Sequence, residues 1–161
     1  MTQDPQTLAW LDQEDSRLAQ VIRTHRFAVQ YVWSGDRPDE PGFGYTVGLF
    51  GLGHPELVAV GLDHRLSHGV LNKVARMVVD GRNLVPGEVI PDDEGRAIVT
   101  VEVLPNPGEI LFSANRFYER PDEYSVPAYQ LTWADAAGRF PWDPRCEGQS
   151  RRQPRPGTWQ A

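Results

Sequence analysis

The sequence predicts an α+β domain, with a mostly antiparallel mixed sheet covered by about three helices, and three observations carry that prediction. Apolar residues recur at helical spacing in some stretches and alternate with polar residues in others. The two kinds of stretch are interleaved along the chain and separated by Gly- and Pro-rich turns, with no repeat and no linker between them. At 161 residues, 40% hydrophobic and 24% charged, the chain is long enough to bury one core without disulfides or metals.

Residues 1–11 read as a loose lead-in, although Asp4-Pro5 has the form of a cap and first-turn pair. From Asp12 a helical pattern runs through Leu18, Val21 and Ile22 to His25. Strands are expected at 27–33, 43–49 and 56–62, the first bounded by the turn signal Ser34-Gly35-Asp36 and a Pro-rich loop. Asp63 then caps the clearest helix, whose stripe of Leu66, Val70, Leu71, Val74, Ala75 and Val78 ends at Gly81. A short strand and acidic turn follow, then a strand at 96–104. Asn106-Pro107 should open a short helix carrying Ile110, Leu111, Ala114 and Phe117, before the last strand at 128–133. The single domain is placed at 12–145, and 146–161 is an Arg-, Pro- and Gly-rich tail expected to be mobile and dispensable for folding. Phe140 and Trp142 are expected to fold back over the core edge as an aromatic clasp turned by Gly138, so that Trp142→Ala would cost about 3 kcal/mol.

Period-2 alternation divides three strands into a heavy and a light set. Val29, Tyr31 and Trp33, then Tyr45, Val47 and Leu49, then Leu131 and Trp133 are heavy, and they are expected to face the helices together. Gln30, Gly44, Thr46, Gly48, Gln130 and Thr132 are light, and they are expected to form one small-residue face. Such a face either meets water or receives a ligand or partner, since its glycines admit close approach and its Gln and Thr side chains supply neutral hydrogen-bonding groups. On this reading Gln30, Thr46, Gly48, Gln130 and Thr132 are ligand-contact candidates.

Catalytic and metal chemistry find little support. His54 and Glu56 flank Pro55 and are the candidate acid and base. In an extended chain they would point to the same side, but no nucleophile stands near them, and a structural turn explains them more simply. His64 and His68 share a helix face without the further ligands a zinc site needs, so no metal is expected. No Ser is framed as G-x-S-x-G, and the Gly-rich stretch lacks both G-x-G-x-x-G and a P-loop lysine, so no cofactor is expected. Lys73, the sole lysine, lies in mid-helix on a solvated site, and Cys146 stands without a neighbouring His.

The net charge is -6, with four arginines against one glutamate confined to residues 145–161. An acidic body argues against nucleic-acid binding, and no apolar run approaches a bilayer span. The first twenty residues lack the basic and apolar regions of a secretory signal, and the lone cysteine agrees with a reducing compartment, so a cytoplasmic location is expected.

The order of "FGYTVGL", "GHPELVAVGL", the helix after it, "NRFYE", "YQLTW" and "GRFPWDP" resembles the bacterial family named domain of unknown function 4262, over roughly residues 12–145. The residues that match its pattern are Tyr45, Thr46, Gly48, His54, Pro55, Glu56, Gln130, Trp133, Gly138, Phe140, Pro141 and Trp142. The resemblance implies a small soluble bacterial protein and no reaction, and it adds Tyr45, His54 and Trp133 to the ligand-contact candidates. The function expected from all of this is a binding or accessory module that recognises a small molecule or a protein partner through the light face and the His-Pro-Glu turn. The alternatives are an enzyme using His54 and Glu56, and a structural homo-oligomer.

Overall fold

Asp4 opens the first helix, α1 (Pro5–His25), by accepting a hydrogen bond from the Thr7 N–H at 3.4 Å, with Pro5 in the first turn. The helix therefore begins at Pro5 rather than Asp12, and most of the expected lead-in is helical. It ends where Arg26 turns left-handed, and the strand β1 (Ala28–Val32) follows at once. The computed structural model describes residues 4–33, 35, 41–146 and 153–161. Ser34 and Asp36 of the expected turn, the loop beyond it, and Arg151 and Arg152 of the tail lie outside the described residues.

The remaining elements are β2 (Phe43–Val47), β3 (Glu56–Val60), α2 (His64–Val79), β4 (Val89–Pro91), β5 (Ala97–Val103), α3 (Phe112–Phe117) and β6 (Ala128–Trp133), with short 3-10 turns at Phe50–Leu52, Pro107–Glu109 and Asp122–Tyr124. Asp63 caps α2 as its sequence position suggests, accepting from the Leu66 N–H at 2.7 Å. The segment after Asn106 is a 3-10 turn and then α3, not one helix.

The strands form one six-stranded sheet in the order β1-β2-β3-β6-β5-β4. β3 and β6 run parallel, and the other neighbouring pairs are antiparallel. This is the α+β fold with a mostly antiparallel mixed sheet that the sequence predicts.

The two faces of the sheet differ from the expectation. Directly paired residues share a face, and the register joins Val29 to Thr46 and Gln30 to Tyr45. Each heavy residue of β1 thus stands beside a light residue of β2. The expected division into one heavy face and one light face is corrected: both faces carry apolar cores. On the first face Leu57, Ala59, Val101 and Leu131 share one core with Leu71, Val74 and Val78 of α2. On the second, Phe43, Tyr45, Val58 and Ala128 meet Ile110, Leu111 and Ala114, with Ile22 of α1 and Trp159 at the margin. Helices therefore cover both faces rather than one.

The light glycines serve close packing within the chain. A Cβ on Gly44 would come within 3.0 Å of the Leu71 side chain and collide with Ser67 Oγ, so its absence lets α2 settle on β2. Gly48 has φ +132°, and a Cβ there would lie 2.6 Å from the Arg26 carbonyl oxygen. Only glycine fits the crossing of that strand end with the exit from α1.

The aromatic clasp also differs. Phe140 and Trp142 stack on each other at 4.9 Å, but Trp142 is 55% exposed and is covered from outside by the Arg155 guanidinium, 4.7 Å from its ring centre. A stack in water buries far less area than a core aromatic. Trp142→Ala is accordingly expected to cost about 1 kcal/mol in urea unfolding, in place of 3. A loss as large as a buried aromatic would show that the stack closes on the core.

Candidate functional site

Glu56 is the first residue of β3 and is fully buried. The regular β2–β3 pairing runs from Phe43↔Val60 to Tyr45↔Val58. Beyond it the Thr46 hydroxyl oxygen accepts from the Leu57 N–H at 2.9 Å, in place of a backbone carbonyl. The carboxylate enters the gap this opens. One oxygen accepts from Thr46 Oγ1 at 2.8 Å and the Leu49 N–H at 3.1 Å; the other accepts from the Gly48 and Phe50 N–H groups at 3.0 and 3.2 Å. Glu56 thus ties the turn after β2 to the start of β3. Burial pushes its carboxyl up to about 7, against the pull of the donors at Gly48, Thr46, Phe50 and Leu49.

Two phenols lie in the field of that carboxylate. Burial, with the Glu56 charge second, pushes Tyr118 up to about 12, and its oxygen accepts from the Gly51 N–H. Tyr45 is raised chiefly by burial, and its oxygen accepts from the Ser113 N–H at 2.9 Å. Both phenols stay protonated at neutral pH and fasten α3 and its flank to the turn.

His54 serves a second latch. Its Nε2 lies 3.3 Å from the Leu84 N–H, which can only donate, and its Nδ1 lies 2.7 Å from the Pro55 carbonyl oxygen, which can only accept. The two contacts together fix a neutral ring protonated on Nδ1. The ring also meets Tyr129 edge-on at 5.7 Å. Leu84 and Tyr129 belong to the first face, whereas Glu56 pairs with Ala128 of the second. His54 and Glu56 therefore turn to opposite sides. The expectation that they share one side fails because His54 sits on a bend following a 3-10 turn and not in the extended strand.

The other sequence candidates are dispersed. Gln30 is half-buried beside Tyr45, while Thr46, Gly48, Gln130, Thr132 and Trp133 are buried. The groups of β6 are engaged by the end of the chain. Gln130 donates to the Pro154 carbonyl at 2.9 Å and accepts from the Trp159 indole N–H at 3.2 Å. The Trp133 N–H donates to Gln153 Oε1 at 2.6 Å, and Gln153 Nε2 donates back to the Trp133 carbonyl at 2.9 Å. Thr132 donates to Glu102, which also receives Arg155. The expectation of a mobile tail is corrected for 153–161, which lies against the sheet. His64 and His68 are exposed, and no group of three or more His, Cys, Asp or Glu among the described residues is placed to hold a metal ion.

A concavity that the sequence reading missed lies on the first face. A helix about 10 Å across covers two or three strands spaced by about 4.8 Å. α2 takes β1, β2 and β3. Leu84 joins the core beneath the rest of that face, and between α2 and the β4–β5 hairpin there remains a cleft of about 330 Å³. Leu66, Val70 and Val74 form its wall and Ile90, Ile98 and Val99 its floor; Arg65, Gly69 and Lys73 form the rim. The readable signal was Gly69, a glycine in mid-helix with a cation four residues before it and another four after.

The geometry of the described residues defines a small α+β domain with two internally latched turns and an apolar cleft. The chain belongs to the family described as Domain of unknown function (DUF4262), which matches residues 21–147. No curated protein and no solved structure matches it. No helix among the described residues is long and apolar enough to cross a membrane.

Proposed function

We propose that the protein is a binding domain for a small apolar molecule, which it seats in the cleft between α2 and the β4–β5 hairpin. The observation that carries this reading is the cleft itself. Its volume lies at the lower end of the range of ligand pockets, and its lining is almost wholly aliphatic. Room for about a dozen non-hydrogen atoms follows if each takes roughly the 30 Å³ of a water molecule. Gly69 supports it, because a helix glycine costs about 1 kcal/mol relative to alanine and nothing lies within 4 Å of where its Cβ would be. Neither packing nor backbone conformation requires glycine there, and a side chain would project into the cleft mouth.

The acid–base alternative has less to stand on. Glu56 is 0% exposed and His54 5%, and each spends its hydrogen-bonding groups on the chain's own backbone or on Thr46. In this reading the His-Pro-Glu turn and the Thr and Gln residues of the sheet frame the binding domain and do not contact its ligand.

Titration of the isotope-labelled full chain with decan-1-ol tests the reading. Saturable amide shifts confined to α2, β4 and β5 are expected, and Gly69→Leu should abolish them while leaving the fold intact. The absence of saturable shifts in the unaltered protein would overturn it.

A further inference from the structure

The rim of the cleft carries more information than its floor. Arg65, Gly69 and Lys73 are spaced by four residues, so they form one line along α2, immediately beside the apolar line of Leu66, Val70 and Val74. The two cations are about 12 Å apart along the axis at 1.5 Å per residue. Both are long, flexible side chains, and both are exposed. Between them Gly69 leaves an open notch, since nothing approaches the position of its Cβ. Among the described residues neither cation has a carboxylate partner, and none of those lining the cleft is a carboxylate. In a chain of net charge -6, whose sole lysine is Lys73, two unpaired cations bracketing the mouth of an aliphatic cleft are a local reversal of the overall charge.

We infer that the ligand of this cleft is an amphipathic anion: an aliphatic body lying on Val70, Ile90 and Val99, with one terminal negative group held at the Gly69 notch between Arg65 and Lys73. The inference rests on the binding reading above and adds the chemical class of the ligand and its orientation. An apolar body alone would be satisfied by the wall and floor. Two cations flanking the Gly69 notch add an attraction that a neutral ligand cannot use, and a charge-assisted contact is roughly twice as strong as a neutral one. A medium-chain carboxylate has the right form, with a single charged end and a body of about the dozen non-hydrogen atoms for which the cleft has room.

The test compares decanoate with decan-1-ol, both below their aggregation limits, by calorimetric titration of the full chain. Decanoate is expected to bind roughly tenfold or more tightly, the equivalent of one good charged contact. In the double variant Arg65→Gln with Lys73→Gln, the advantage of decanoate over the alcohol should fall to about onefold; both positions are exposed, so folding is not at stake. Added salt should weaken decanoate alone. Equal binding of the two probes, or a double variant that leaves decanoate unchanged, would overturn the anionic inference while the cleft reading stands. Binding of neither probe to the unaltered protein would overturn both.

Discussion

Glu56→Ala is expected to destabilise the protein by about 4 kcal/mol at pH 5, read as a lower urea midpoint at unchanged slope. The substitution leaves the Thr46 hydroxyl and the N–H groups of Gly48, Leu49 and Phe50 without their acceptor, in a place where the replaced side chain was fully buried. An orphaned buried donor costs about 1–3 kcal/mol. Relaxation of the 48–53 turn towards water would return part of this, because Gly51, Leu52 and Gly53 are already exposed.

The pH dependence gives the same prediction a second arm. The folded-state value for Glu56 is about 7, above its ordinary value of 4.5. Native protein therefore holds the proton more tightly than unfolded protein does. The stability this contributes is fully present below pH 4.5 and is lost as pH rises through about 7, up to about 3 kcal/mol across the window. In the protonated state the Thr46 hydroxyl can turn and accept the acid proton, since its oxygen has a second lone pair beyond the one given to Leu57. The difference between unaltered protein and Glu56→Ala should consequently shrink between pH 5 and pH 8. Differences that stay parallel across that range would mean that the four donors outweigh burial and keep the group ionised throughout. An Ala variant as stable as the parent at pH 5 would remove the latch from the account.

Much of this architecture was legible in the sequence because it is local. The Asp63 cap, the apolar stripe of α2 and the alternation in β6 each depend on neighbours a few residues apart, and each element lies close to where those signals place it. The sheet faces were not legible for a definite reason. Alternation divides a strand into two sets, but which set of one strand meets which set of the next is decided by register, and register depends on the connection between them. Val29 beside Thr46 is an outcome of the route from β1 to β2, not of either strand's composition. His54 lies on a bend and Glu56 opens β3, and the expectation that they share a side failed because a bend breaks the period-2 rule on which it rested. The cleft was within reach: an unforced glycine at mid-helix, bracketed by cations, is visible without coordinates. Its apolar floor comes from β4 and β5, and no local pattern announces that they lie across a cleft from α2.

The tail resisted the sequence for a different reason, and its removal should produce the second large effect. Residues 153–161 have no apolar periodicity because they dock through a few separate side chains on either side of a turn at 155–158. Gln153 is 1% exposed and pairs with both backbone groups of Trp133, much as a neighbouring strand would. Trp159 lies 5.1 Å from the Phe43 ring at the edge of the second core and holds Gln130 by its indole N–H, while Asn106 donates to its carbonyl at 2.8 Å. Truncation after residue 152 would expose Phe43, leave both polar ends of buried Gln130 without partners, and strip Glu102 of Arg155. Trp159 is half-buried, so its removal costs less than the roughly 3–5 kcal/mol of a core aromatic, but the lost partners of Gln130 and Glu102 add to it, and a loss of about 4 kcal/mol is expected. For a chain of this length that corresponds to a fall of about 10 °C in Tm. Trp159→Ala should account for most of it, because it removes the aromatic contact and one Gln130 partner together. Gln153→Ala should cost less, since the Trp133 backbone groups can turn to water at the strand end. A truncated chain that melts within a degree or two of the full one would mean that the segment rests on the sheet without stabilising it, and the apolar contact of Trp159 with Phe43 would have to be given up as a source of stability.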